Sequence, residues 1–95
     1  PIDVFYNYPN PVNDRMTTFR YLVSNVDRIQ IKIYSSSGFL VDTIEQNQVI
    51  TDEYNEIVWD SPNIISGVYL ANIIAFSNSN QIDSKITKVL INNKK

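Results

Sequence analysis

Arg28-Ile29-Gln30-Ile31-Lys32-Ile33-Tyr34 alternates apolar and polar side chains along its whole length. A period of two puts Ile29, Ile31 and Ile33 on one face of an extended chain and Gln30 and Lys32 on the other, the pattern of a strand buried on one side. Ser35-Ser36-Ser37-Gly38 follows as a turn in which Gly38 supplies a positive φ. Phe39 to Ile44 then returns as the second arm of a hairpin.

The same grammar extends in both directions from this hairpin. Upstream, Val4 to Tyr8 reads as an edge strand stopped by Pro9 and Pro11, which have no N–H for a ladder. Thr17 to Val23 places Phe19, Tyr21 and Val23 on one face. Downstream, a polar stretch from Glu45 to Glu53 contains a short strand at Val49 and Ile50. Tyr54 to Asp60 alternates again with Ile57 and Trp59 inward, and Ser61-Pro62-Asn63 breaks it. Asn63-Ile64-Ile65-Ser66 has room for one helical turn. Val68 to Phe76 is a long apolar run, read as a central strand buried on much of both faces. Ser77 to Gln81 is a polar loop, and Ser84 to Ile91 closes the chain with Thr87, Val89 and Ile91 on one face and Ile86, Lys88 and Leu90 on the other. Periodicity does not say which of these two faces is inward.

Short strands at this spacing, separated by Ser, Asn, Asp, Gly and Pro, predict an all-β fold, an immunoglobulin-like antiparallel β-sandwich of about seven strands. Composition agrees, since the apolar residues lean towards β-branched and aromatic types and Ala and Leu are scarce. Ninety-five residues suffice for one core and not for two, so residues 1–95 are read as a single domain.

Several function classes are excluded by what the chain lacks. It has no His and no Cys, which removes imidazole and thiolate metal sites and the Ser-His-Asp and Cys-His nucleophile arrangements. With two glycines, Gly38 and Gly67, it has no glycine-rich phosphate loop. The net charge is −2 with Lys and Arg scattered, so nucleic acid is not an expected partner. No apolar run reaches the roughly 20 residues of a membrane span. Asp52-Glu53 with Asp60 is the one local concentration of carboxylates, and it reads as a solvated loop and a turn rather than an acid–base pair or a Ca²⁺ loop. The tyrosines at 6, 8, 21, 34, 54 and 69 fall in separate strands, so core packing with the hydroxyl at the rim, rather than a carbohydrate-stacking platform, accounts for most of them. The expectation is a non-catalytic domain that needs no metal or cofactor. The chain starts at Pro1 with no signal peptide in its first residues and is read as an excised piece whose export signal lies upstream, while Lys94-Lys95 reads as a natural end of chain.

Phe5-Tyr6-Asn7-Tyr8-Pro9-Asn10-Pro11, Ile31-Lys32-Ile33-Tyr34 with Gly38 and Val41, Ile57-Val58-Trp59-Asp60, Ser66-Gly67-Val68-Tyr69-Leu70 and the closing Lys85 to Ile91 stand in an order that resembles a known family. It is the C-terminal sorting domain of the type IX secretion system of Bacteroidetes (type A), a relative of the immunoglobulin-like domain of the flagellar hook-capping protein. The resemblance runs almost from end to end. Phe39 departs from it, standing where the family often has Arg, and so does a long polar insert from Gln46 to Asp52. The resemblance implies a secretion and surface-sorting signal for a folded cargo upstream in the same chain, recognised by outer-membrane secretion and attachment machinery, with a secreted or cell-surface destination reached through the periplasm. It implies motif positions at Pro9, Asn10, Pro11, Gly38, Gly67, Val68, Tyr69 and Lys88, each of which also has a structural reading. A structural or adhesive immunoglobulin-like spacer and a carbohydrate-binding module of an extracellular enzyme are the competing functions.

Overall fold

The computed structural model describes residues 1–93; the Lys94-Lys95 pair lies outside the described residues. The strands are β1 (Ile2–Tyr8), β2 (Met16–Val23), β3 (Arg28–Ser35), β4 (Leu40–Gln46), β5 (Tyr54–Asp60), β6 (Gly67–Ser77) and β7 (Asn80–Ile91). They form two antiparallel sheets, β1-β2-β5 and β4-β3-β6-β7, packed face to face as a sandwich.

The alternation seen in the sequence builds the core directly. Phe19, Tyr21 and Val23 of β2 meet Ile29, Ile31 and Ile33 of β3, Ala71, Ile73 and Ala75 of β6, and Val89 and Ile91 of β7 in one buried cluster. The inward face of β7 is therefore the one that carries Val89 and Ile91. Trp59 of β5 packs beside Phe19 with ring centroids 5.9 Å apart. Its indole N–H donates to Asp42 Oδ2 of β4 at 2.8 Å, which ties the sheets together along the side where β4 and β5 are edges. Tyr21 is fully buried and donates its hydroxyl to Gln46 Oε1; burial pushes its phenol pKa up.

Turn chemistry explains the ends of the strands. The β3–β4 turn closes with Ser35 N–H donating to Phe39 O (2.8 Å) and Gly38 N–H to Ser35 O (2.9 Å), and Gly38 sits at φ +92°, a conformation that a Cβ would strain. At the start of β6, Tyr69 inserts its ring into the core and donates its hydroxyl to Ile65 O at 2.7 Å. This is the tyrosine corner of immunoglobulin-like sandwiches, and it explains why Tyr69 stands immediately after Gly67-Val68.

Apart from shifts of one or two residues at other strand ends, four details differ from the sequence reading. Val49 and Ile50 form no strand, because the buried Asn55 side chain takes both backbone groups of Ile50 (Ile50 N–H to Oδ1, 3.0 Å; Nδ2 to Ile50 O, 2.8 Å), so the loop is satisfied without a ladder. Residues 63–66 form no helical turn; Asn93 and Tyr69 hold that segment through Ile64 O, Ser66 Oγ and Ile65 O. On β6, burial on both faces is confined to Ile73, Ile74 and Ala75, and the outward Leu70, Asn72 and Phe76 are half-buried. β7 starts at Asn80, ahead of the expected Ser84. Asn78 and Ser79 adopt φ of 51° and 69° and close a tight hairpin in which Ser77 pairs with Asn80.

Candidate functional site

Pro9, Asn10 and Pro11 follow β1 through two cis peptide bonds, Tyr8–Pro9 and Asn10–Pro11. The segment is fastened from inside: the buried Asn7 donates through Nδ2 to Thr17 Oγ1 at 3.1 Å, and Thr17 donates in turn to Pro9 O at 3.0 Å. This leaves the Asn10 side chain facing the free edge of β7. There Nδ2 donates to Lys88 O (2.9 Å) and Oδ1 accepts from Leu90 N–H (2.9 Å), so a side-chain amide occupies the place of a neighbouring strand. Val12 continues the pairing, with its N–H on Leu90 O (2.7 Å), its carbonyl receiving Asn92 N–H (2.9 Å), and a parallel bridge to Ile91. The chain thus crosses from one sheet to the other and closes the C-terminal half of the β7 edge.

Further along the same edge, Ile2 N–H donates to Asp83 Oδ2 at 2.7 Å, and this hydrogen bond, the largest cause, holds the Asp83 carboxyl below its usual pKa. β7 is therefore pinned to the other sheet at two points, Asp83 and the Lys88–Leu90 stretch.

Of the motif positions expected from the sequence, Asn10 and Lys88 are brought into direct contact although 78 residues separate them. Gly67, Val68 and Tyr69 lie on the adjoining strand opposite Ile91, Leu90 and Val89. Tyr69 is core, whereas Val68 and Lys88 point outward and are exposed. Gly38 makes no hydrogen bond to these residues. It shares only their end of the sandwich, since Ser35 pairs with Tyr69 and Tyr69 with Val89. The outward surface here carries Val68, Leu90 and Ile86 around Lys88, with Tyr34 and Leu70 next in register. A cation ringed by aliphatic side chains on a pinned pair of strands suits a partner that offers an acidic group within an apolar surface.

Sequence reasoning missed Asn7, Val12, Thr17 and Leu90. Asn7 carries a weak signal, a polar residue at an inward position of β1, while nothing local announces the pairing of Val12 and Leu90. Next to this end a groove of about 750 Å³ opens between Asn13–Arg15 and Ser61–Ser66, with Asn93 on one wall. The carboxylates weighed as an acid–base group are not assembled: Asp60 pairs with Arg15 at 2.7 Å, and Asp52 and Glu53 lie beyond the other end of β5. Among the described residues no group of acidic side chains is placed to share a metal ion, and no helix is long and apolar enough to cross a membrane.

The Asn10 clasp makes a measurable prediction. Asn10→Ala removes both side-chain hydrogen bonds to β7, each contributing about 0.5–1.5 kcal/mol. With water able to replace part of this, a loss of about 1–2 kcal/mol in stability is expected. Amide exchange at Leu90 should accelerate by more than about tenfold, whereas amides on the far edge of that sheet, on β4, keep their protection. Unchanged exchange at Leu90 rules out the clasp.

The chain is similar to proteins already described. A family model described as "Secretion system C-terminal sorting domain" matches residues 7–92. Among solved structures, the crystal structure of dimeric latent PorU from Porphyromonas gingivalis superimposes with a TM-score of 0.79 at 26% sequence identity. That match takes in 95% of this chain and 9% of the PorU chain, so this chain spans a small part of its structural relative's length. No curated protein matches the chain.

Proposed function

The chain belongs to the family of secretion-system C-terminal sorting domains, and on that premise we propose that residues 1–95 act as one non-catalytic address whose readable surface is the outward face of β6 and β7 around Lys88. Domains of this family are sorting signals of type IX secretion, so this chain directs export to the cell surface or beyond it, through the outer membrane. The cargo is a folded domain upstream in the same protein, and the partner is outer-membrane secretion and attachment machinery of the PorU-related type.

One observation carries this assignment of the surface: the Asn10 amide bound to Lys88 O and Leu90 N–H. It joins the first and last motif segments of the chain and holds exposed side chains of β7 in a fixed position without using them in the core. Asn10, Pro9 and Pro11 are positioning residues on this reading, as are Gly38, Gly67 and Tyr69. Val68 and Lys88 touch the partner.

Lys88→Gln separates recognition from folding. Lys88 is exposed and its side chain bears no hydrogen bond or ion pair among the described residues, so the substitution should change stability by no more than about 0.5 kcal/mol. Surface display of a cargo carrying Lys88→Gln should fall to less than about a tenth of that of the parent, with an unchanged melting curve. Full display from this variant removes Lys88 from the recognition surface.

A further inference from the structure

The outward face of the other sheet, β1-β2-β5, has no role in the reading above. Because β5 pairs with β2 rather than with β4, residues distant in sequence meet there. Tyr6 lies in register with Arg20 and Glu56, Tyr8 with Thr18 and Val58, and Val4 with Leu22 and Tyr54. Tyr6, Tyr8 and Tyr54 are 40%, 43% and 45% exposed, which overturns core packing as their explanation. Tyr21 and Tyr69 fit it.

The three exposed rings surround a charge pair whose carboxylate is hydrogen-bonded twice. Arg20 donates to Glu56 Oε2 at 2.7 Å and lies 4.0 Å from the centre of the Tyr54 ring, while Tyr8 donates its hydroxyl to the same Glu56 oxygen at 2.8 Å. Hydrogen bonds from Tyr8 and Arg20 hold the Glu56 carboxyl below its usual pKa, so it remains an acceptor at neutral pH. The face is thus electrically compensated, and it offers aromatic rings flanked by Val58 and Met16.

We propose that this face binds a neutral, flat-ribbon glycan of the β-1,4-linked type, stacked on Tyr8, Tyr6 and Tyr54. Charge supports it, because among the described residues the ion pair at the centre of this face, Arg20 with Glu56, neutralises itself and gives no purchase to an anionic or cationic ligand. Spacing supports it too. The Tyr6 and Tyr8 rings lie 6.2 Å apart, and strand geometry puts Tyr54 about 10–12 Å from Tyr6. A ribbon of sugar rings can therefore lie diagonally over the three, its C–H faces on the aromatic rings and its hydroxyls against Arg20 and Glu56.

The test titrates the chain with cellohexaose, mannohexaose and chitohexaose, following amide and side-chain chemical shifts and measuring affinity by calorimetry. The proposal requires at least one of the three to bind, with shifts confined to β1, β2 and β5 around Tyr6, Tyr8 and Tyr54. Tyr6→Ala and Tyr54→Ala should each weaken binding at least tenfold, and Tyr34→Ala, on the opposite sheet, should leave it unchanged. No binding by any of the three, or shifts elsewhere on the parent chain, overturns it. So does a concentration-dependent dimer in sedimentation that Tyr6→Ala abolishes, since that result gives the face to a second copy of the chain.

Discussion

Trp59→Ala is expected to cost about 3–5 kcal/mol, the range for truncating a fully buried large aromatic side chain. The side chain is 2% exposed, packs beside Phe19, and is the indole whose N–H reaches Asp42 on the facing sheet. The variant loses the ring's buried surface, leaves a cavity between the sheets and deprives the β4 edge of its one hydrogen bond from Trp59. A domain of this size has only about 5–15 kcal/mol in total, and each kcal/mol corresponds to roughly 4–8 °C in melting temperature. The midpoint should drop by more than about 12 °C. Asp42→Asn, which keeps an acceptor for the indole, should lose far less. A Trp59→Ala variant that melts within a few degrees of the parent contradicts the placement of Trp59 between the sheets.

That placement was legible in the sequence because β5 alternates cleanly, and its bounds, Tyr54–Asp60, are those periodicity gives. β3 and β2 were legible for the same reason, each extended by one residue in the structure, to Ser35 and from Met16. Periodicity fails where burial is not the organising force. Of the first residues of β7, Asn80, Gln81 and Asp83 are polar and the single apolar one, Ile82, is exposed on an open edge, so nothing in their pattern distinguishes a strand from a loop. Val49 and Ile50 have the residue types of a strand, yet Asn55 satisfies the backbone of Ile50 from the side.

The candidate site was legible as motifs but not as a place. Pro9-Asn10-Pro11 and Lys88 could each be picked out, while the bond between them depends on a chain crossing from one sheet to the other, which no local pattern encodes. The tyrosine face was hidden for a related reason. Tyr6 and Tyr54 share a surface only because the strand order β1-β2-β5 skips the hairpin between them.

A folded unit that is itself an address can be transplanted. Residues 1–95 are fused behind an unrelated folded protein that carries an ordinary periplasmic export signal, and the fusion is expressed in a host with the type IX apparatus and in one without it. The quantity measured is the fraction of the carried protein that external protease can reach in intact cells. This fraction should become the major one in the first host and stay at background in the second, and the Lys88→Gln fusion should behave in the first host as the parent does in the second. If the parent fusion stays in the periplasm of the first host while its sandwich is folded, the domain is not a sufficient signal, and the reading as a structural spacer takes its place.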